Sequence, residues 1–251
     1  MKKRVFLFFL ILVGVLLIAG CSKDDKETSG TEEVDLDAPL SLENLNGMFY
    51  GFRDDFGGSE CGGICWDIYT FLEGNTLLIG APSNGGPETI DCAIDPCQAY
   101  TISNGQLEIS GEDALPIEII NDNLSINNVK LSRVVPVPEE TIFNNNYKNI
   151  SYSGLIGITG GASSKTRFLT LNADGTFELD GVSLASVGGS SGTTTSGNFT
   201  DETVFGTYKI EKNTIELTSS DGTIENRLFF IHDGDVTDIQ LGEKNYYVDD
   251  E

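Results

Sequence analysis

The chain is poor in the residues from which most metal and nucleic-acid sites are built. Among 251 residues it has one histidine, His232, one tryptophan, Trp66, and only 15 lysines and arginines against 39 acids. A single histidine cannot assemble a multi-histidine metal centre. A formal net charge of −24 repels phosphate backbones, which excludes nucleic acid as a partner. No glycine-rich phosphate loop follows a strand and opens a helix, and no amphipathic helical pattern occurs. No nucleophile elbow surrounds any serine, so His232 reads as a strand-end residue beside the Asp233-Gly234 turn rather than as part of a triad. The acidic stretches Asp54 to Glu60 and Asp233 to Asp238 lack the ligand spacing of an EF-hand. Neither a cofactor nor a metal is implied.

What is present begins with Lys2, Lys3 and Arg4, an apolar run from Val5 to Ile18, and the tetrad Ile18-Ala19-Gly20-Cys21. A charged region, an apolar region and small residues in that order are the layout of a secretory signal peptide, here residues 1–20. About 14 apolar residues rising 1.5 Å each span roughly 21 Å, short of the ~30 Å hydrocarbon core, so the segment is expected to be cleaved. Ile18-Ala19-Gly20-Cys21 resembles the lipobox of bacterial lipoproteins, which implies that Cys21 is acylated and becomes the first residue of the mature chain. Several acyl chains at about 0.8 kcal/mol per buried methylene would hold the protein on a membrane without crossing it. Ser22-Lys23-Asp24-Asp25-Lys26-Glu27 resembles the acidic tether that sends some Gram-negative lipoproteins to the outer face of the outer membrane, and a lipid-anchored surface location is the expectation. Residues 21–40 carry too little apolar surface to fold and read as a disordered tether.

Beyond the tether, four hairpins suggest an internal repeat. A two-residue turn at Asn104-Gly105 sets Ile102 opposite Leu107 and Tyr100 opposite Ile109, and Tyr208 to Leu217 repeats the pattern with Ile210 opposite Ile215. Upstream of each, three-residue loops at Glu73-Gly74-Asn75 and Ala173-Asp174-Gly175 pair Phe71 with Leu77 and Leu171 with Phe177. The spacing predicts two all-β domains, residues 41–134 and 142–251, joined by a stiff, extended linker over residues 135–141 that contains Pro136 and Pro138. Sequential hairpins predict two tandem antiparallel meander barrels, with two β-sandwiches as the alternative. The tract from Gly188 to Gly197 reads as a flexible loop.

Leu45-x-Gly47-x-Phe49, Leu171-Asn172-Ala173-Asp174-Gly175-Thr176-Phe177, Gly206-Thr207-Tyr208-Lys209-Ile210 and a closing strand pair from Ile239 to Tyr247 resemble the lipocalin-like domains of bacterial lipoproteins. The resemblance implies barrels that bind a small apolar molecule.

Once Cys21 is acylated, Cys61, Cys65, Cys92 and Cys97 remain, and an exported chain with an even number reads as two disulfides with three connectivities open. A four-thiolate zinc site is the alternative. Trp66, Tyr69 and Phe71 lie on one strand and are expected to present one aromatic face, either a ligand platform or barrel core. The cystine-bearing first domain is the expected binding domain. The function expected is a membrane-anchored, non-enzymatic module binding a small molecule, glycan or protein. The alternatives are a carboxylate-dependent hydrolase and a structural spacer with filled barrels. Growth with a labelled fatty acid should tag the wild-type protein and leave Cys21→Ser unlabelled; equal labelling of both would overturn the lipoprotein reading.

Overall fold

The computed structural model describes residues 39–154, 161–188, 194–200 and 202–248. The signal peptide, Cys21 and the tether up to residue 38 lie outside the described residues. The chain forms two closed antiparallel barrels in tandem, each of eight strands.

The first barrel is a plain meander. Its strands are β1 Gly47–Asp54, β2 Ile64–Leu72, β3 Thr76–Ile79, β4 Gln98–Ser103, β5 Gln106–Ile109, β6 Leu115–Ile120, β7 Asn123–Ile126 and β8 Val129–Arg133, closed by β1 against β8. Three of its turns need positive φ at both central residues, and Asn104-Gly105, Asn121-Asp122 and Asn127-Asn128 supply it. The expected registers hold: Ile102 faces Leu107, Tyr100 faces Ile109, and Phe71 faces Leu77. Phe49, Phe71, Leu77, Leu107, Leu124 and Leu131 fill the interior, with Phe71 edge-on to Tyr100 at 5.2 Å.

The second barrel runs through β9 Asn145–Ser153, β10 Gly161–Leu171, β11 Thr176–Gly188, β13 Val204–Glu211, β14 Thr214–Ser219, β15 Ile224–His232, β16 Asp235–Leu241 and β17 Lys244–Val248. Leu171 faces Phe177 and Ile210 faces Ile215, as the hairpins require. The remaining strand, β12 Thr194–Thr200, lies outside the ring and, among the described residues, pairs with the far end of β11. This corrects the flexible-loop reading for residues 194–197 of the tract from Gly188 to Gly197, which are extended and β-paired; residues 189–193 lie outside the described residues. Tyr147, Phe177, Phe229, Ile239 and Tyr246 fill this barrel, and the Tyr147 hydroxyl donates to the Val236 carbonyl at 2.7 Å.

A third apolar cluster belongs to neither interior. Met48 and Tyr50 alternate with the inward Phe49 on β1, Ile68 with Tyr69 on β2, and Leu228 and Phe230 with Phe229 on β15. These outward side chains meet one another and Val134, so the two barrels share a buried layer. Each fully buried apolar side chain contributes roughly 1.5–3 kcal/mol, making the layer a major part of the stability. Hydrogen bonds frame it. The Gly86 N–H donates to Thr214 Oγ1 at 2.8 Å, and Thr214 Oγ1 donates to Glu88 Oε1 at 2.6 Å. A Cβ on Gly86 would stand 2.6 Å from the Asn213 carbonyl oxygen, which is why the chain carries glycine at this crossing. The linker is docked as well as extended: the Val137 N–H donates to Lys212 O at 3.1 Å, and Asn213 Nδ2 donates to Val135 O at 2.9 Å.

The shared layer gives separation of the halves between Val134 and Ile142 a definite energetic cost, since it would bare the Met48 and Phe230 faces. We expect the wild type to unfold in urea as one transition. Phe230→Ala should destabilise it by about 3–5 kcal/mol and let the barrels melt apart, whereas an unchanged midpoint would show that the layer holds nothing together.

Candidate functional site

Beside the apolar layer the two barrels stand apart and enclose a cleft of about 1110 Å³. The first barrel contributes the β1–β2 loop and the strand ends that carry it. In that loop Asp55 Oδ2 accepts the N–H groups of Glu60 at 2.9 Å, Cys61 at 2.9 Å and Gly62 at 3.2 Å. These bonds hold the Asp55 carboxyl below its ordinary pKa and fix the loop. The Cys61–Cys65 disulfide closes the same turn, with Cα atoms 5.3 Å apart. Gly63 at φ +118° lies against Tyr152 of β9, where a Cβ would meet the ring at 2.3 Å. The Tyr152 N–H then donates to Gly62 O at 2.9 Å, joining loop to barrel.

Arg53 crosses this wall. Its Nη1 donates to Glu60 Oε2 at 2.9 Å, its Nη2 to the other Glu60 oxygen, and its Nε to Asp67 at 3.2 Å. The Arg53 guanidinium draws the Glu60 carboxyl below its usual range, while burial raises that of Asp67 despite the same neighbour. Trp66 lines the cleft next to Cys65. Its ring lies 6.0 Å from Tyr50, 5.5 Å from Phe52 and 4.6 Å, edge-on, from His232 of the second barrel.

The aromatic face expected of Trp66, Tyr69 and Phe71 does not form. Position 66 is even and 69 and 71 are odd, and the unbroken β1–β2 register sends them to opposite faces of a strand whose period is 2. Tyr69 and Phe71 are first-barrel core, and burial pushes the Tyr69 hydroxyl up to about 12. Only Trp66 reaches the cleft. Among the three cysteine connectivities the structure has Cys61–Cys65 and Cys92–Cys97, which leaves no thiolate for zinc. Each bond braces its own loop and neither ties one loop to the other.

On the opposite wall, among the described residues, β9 and β17 pair at Lys148 with Tyr247 and Tyr147 with Val248. Above that point the strands diverge, and Asn149 Nδ2 bridges them by donating to Asn245 O at 2.9 Å. The cleft is lined there by Asn149, Ser151, Ser163, Lys165, Arg167 and Lys244. Lys165 and Arg167 continue the row of Leu169 and Leu171, and Lys244 that of Tyr246, so their register is inward, toward the mouth of the second barrel. Burial first, and then Arg167, Arg227 and Lys165, depress the Lys244 pKa against the pull of Glu243. The sequence reading missed these cations. Their signal was the alternation Lys165-x-Arg167-x-Leu169-x-Leu171, in which charge occupies a row reserved elsewhere for core.

No family model, curated protein or solved structure matches the chain. The fold defines the class of protein, a tandem pair of eight-stranded antiparallel barrels, and the cleft between them is its candidate site.

His232 couples this region to pH. It is buried among Tyr50, Trp66 and Phe230, with Nε2 3.1 Å from Gln240 Oε1. Burial lowers its pKa, opposed by Asp238, the Gln240 bond and Asp233. The folded state therefore prefers the neutral ring, and the unfolded state binds the proton first as pH falls below about 6.5. Stability present at neutral pH is lost as pH falls from there through the depressed folded value. Urea midpoints of the wild type should drop across that window, and His232→Gln should remove part of the drop. An identical pH dependence in both would assign it elsewhere.

Proposed function

We propose that the chain is a lipid-anchored, surface-exposed binding module of the outer membrane that captures a glycan in the cleft between its barrels without turning it over. The observation that carries this reading is the cleft itself: about 1110 Å³ between walls fixed by strands, the Asp55-capped loop and a disulfide. Ligand sites typically occupy about 300–1,000 Å³, and walls ordered in advance reduce the entropy lost on binding. A structural spacer has no use for such a space. The lining favours a glycan over an apolar molecule, because Ser151, Ser163, Asn149 and Trp66 combine polar groups with an aromatic ring. An apolar ligand of the kind the lipocalin-like resemblance implies would instead compete with Phe49, Phe71 and Leu107 for the first lumen.

One observation favours a hydrolase: Glu60 and Asp67 share the cleft with their pKa values pushed apart, as an acid–base pair requires. Arg53, bonded to both, occupies the place from which they would meet a substrate, and we prefer the binding reading.

Trp66, the only tryptophan, reports on the cleft. With soluble protein starting at residue 22, neutral and acidic oligosaccharides, fatty acids and short peptides should be titrated in turn. A saturable change of Trp66 emission with oligosaccharide, no change with fatty acid and no product on long incubation are expected. No saturable change with any compound would overturn the cleft reading, and product formation would restore the hydrolase.

A further inference from the structure

We infer, resting on the cleft reading above, that the ligand is an acidic oligosaccharide, whose anionic groups sit on Arg167 and Lys244 at the mouth of the second barrel and whose hydroxyls meet Asn149.

The first observation is where the cations are. Ten lysines and arginines follow residue 40 in a chain of net charge −24, and four of them, Lys165, Arg167, Arg227 and Lys244, belong to the inward register of one barrel end. Their mutual field is strong enough that Arg167, Arg227 and Lys165 all act on Lys244, and Arg167 and Arg227 both act on the buried Tyr246 hydroxyl. Arg227 pairs with Glu225 at 2.7 Å, but among the described residues neither Arg167 nor Lys244 holds an ion pair. A fold with 39 acids available has left the half-buried Arg167 beside the exposed Lys244 with no ion pair among the described residues, Glu243 acting on Lys244 through its field alone. Like charges in that arrangement destabilise the folded state, and such strain is kept at sites that await a ligand of opposite charge.

The second observation is independent of charge. Asn149 Oδ1 is buried and accepts no hydrogen bond in the structure. Its amide cannot turn over to find one, because Nδ2 donates to the Asn245 carbonyl at 2.9 Å and exchange would set two oxygens together. This acceptor lies in the same wall of the cleft as Arg167 and Lys244, where β9 and β17 diverge. The wall thus offers Arg167 and Lys244, which hold no ion pair among the described residues, and an acceptor that lacks a donor. A fully deprotonated anion such as sulfate satisfies only the first and a neutral sugar only the second, whereas a saccharide carrying carboxylate or sulfate supplies both and has the several hydroxyls that a cleft of this size can hold. The serine hydroxyls of Ser151 and Ser163 and the ring of Trp66 across the cleft complete a surface suited to several sugar units.

The test uses the soluble protein from residue 22 with three probes: a galacturonic acid tetramer, a sulfated disaccharide and, as the neutral match, a galactose tetramer. Binding is followed by calorimetry and by the Trp66 indole resonance in NMR spectra. At least one acidic probe should bind, shift Trp66 and weaken as salt screens the site. Arg167→Gln and Lys244→Gln should each lower affinity roughly ten- to hundredfold, the loss expected when one charge-assisted bond is removed, while Lys244→Arg retains most of it. The same two variants should melt at or above the wild-type temperature, because each relieves repulsion, and this separates a ligand site from a structural role. Lys130→Gln on the first barrel should bind as the wild type does.

Whichever acidic probe binds identifies the anionic group. Equal binding of the galactose tetramer with a Trp66 shift would overturn the acidic assignment and leave the cleft reading intact. Failure of both acidic probes to bind, or binding that ignores Arg167→Gln and Lys244→Gln, would also overturn it. The cleft reading fails separately, when no compound of either charge moves Trp66.

Discussion

The two barrels depend for their mutual placement on a single apolar layer, in which Met48, Tyr50 and Ile68 of the first meet Leu228 and Phe230 of the second. An isolated eight-stranded meander needs apolar residues only on its inward rows, and outward apolar residues would otherwise be exposed. Here β1, β2 and β15 are apolar on both faces, and burying the outer faces against each other fixes one barrel on the other. Without that contact the disulfide-braced loop of the first barrel and the diverging β9 and β17 strands of the second would bound no common space. The cleft is a by-product of the packing, and its walls are as rigid as the packing makes them.

Within the cleft the charge is divided. On the first-barrel side Arg53 bridges Glu60 and Asp67 and ties them into the wall. On the second-barrel side positive charge is concentrated at Lys165, Arg167 and Lys244, with Lys244 depressed by burial and by its neighbours. In a strongly acidic chain this local reversal is where a negative ligand would be drawn, since a surface dominated by carboxylates repels it everywhere else. His232 and Trp66 sit at the junction of the apolar layer and the cleft, so events in the cleft and protonation of the interface act on neighbouring groups.

Much of the fold was legible because hairpins are local. Asn-Gly and Asp-Gly turns fix loop length, loop length fixes register, and period-2 alternation then says which residues face the core. Ile102 with Leu107 and Leu171 with Phe177 follow from a dozen residues each. The site was less legible. Trp66 shares a strand with Tyr69 and Phe71 but strand parity separates it from them, and β12 lies in a glycine-rich tract that becomes a strand by pairing with the end of β11. The continuous apolar runs Met48-Phe49-Tyr50 and Leu228-Phe229-Phe230-Ile231 held the signal of burial on both faces.

By itself the sequence determined the two barrels, their turns and their inward rows, because each rests on interactions between residues a few positions apart. It also contained Lys165, Arg167 and Lys244, but not their convergence. Only the tertiary structure decided that β10 and β17 bring those cations to one barrel mouth, that the four cysteines pair within their own loops, and that Trp66 faces outward to the second barrel. The physical reason is separation: barrel closure and barrel-on-barrel packing join groups some eighty to one hundred and eighty residues apart, such as Lys165 with Lys244 and Trp66 with His232, and no local pattern encodes which distant surfaces will meet.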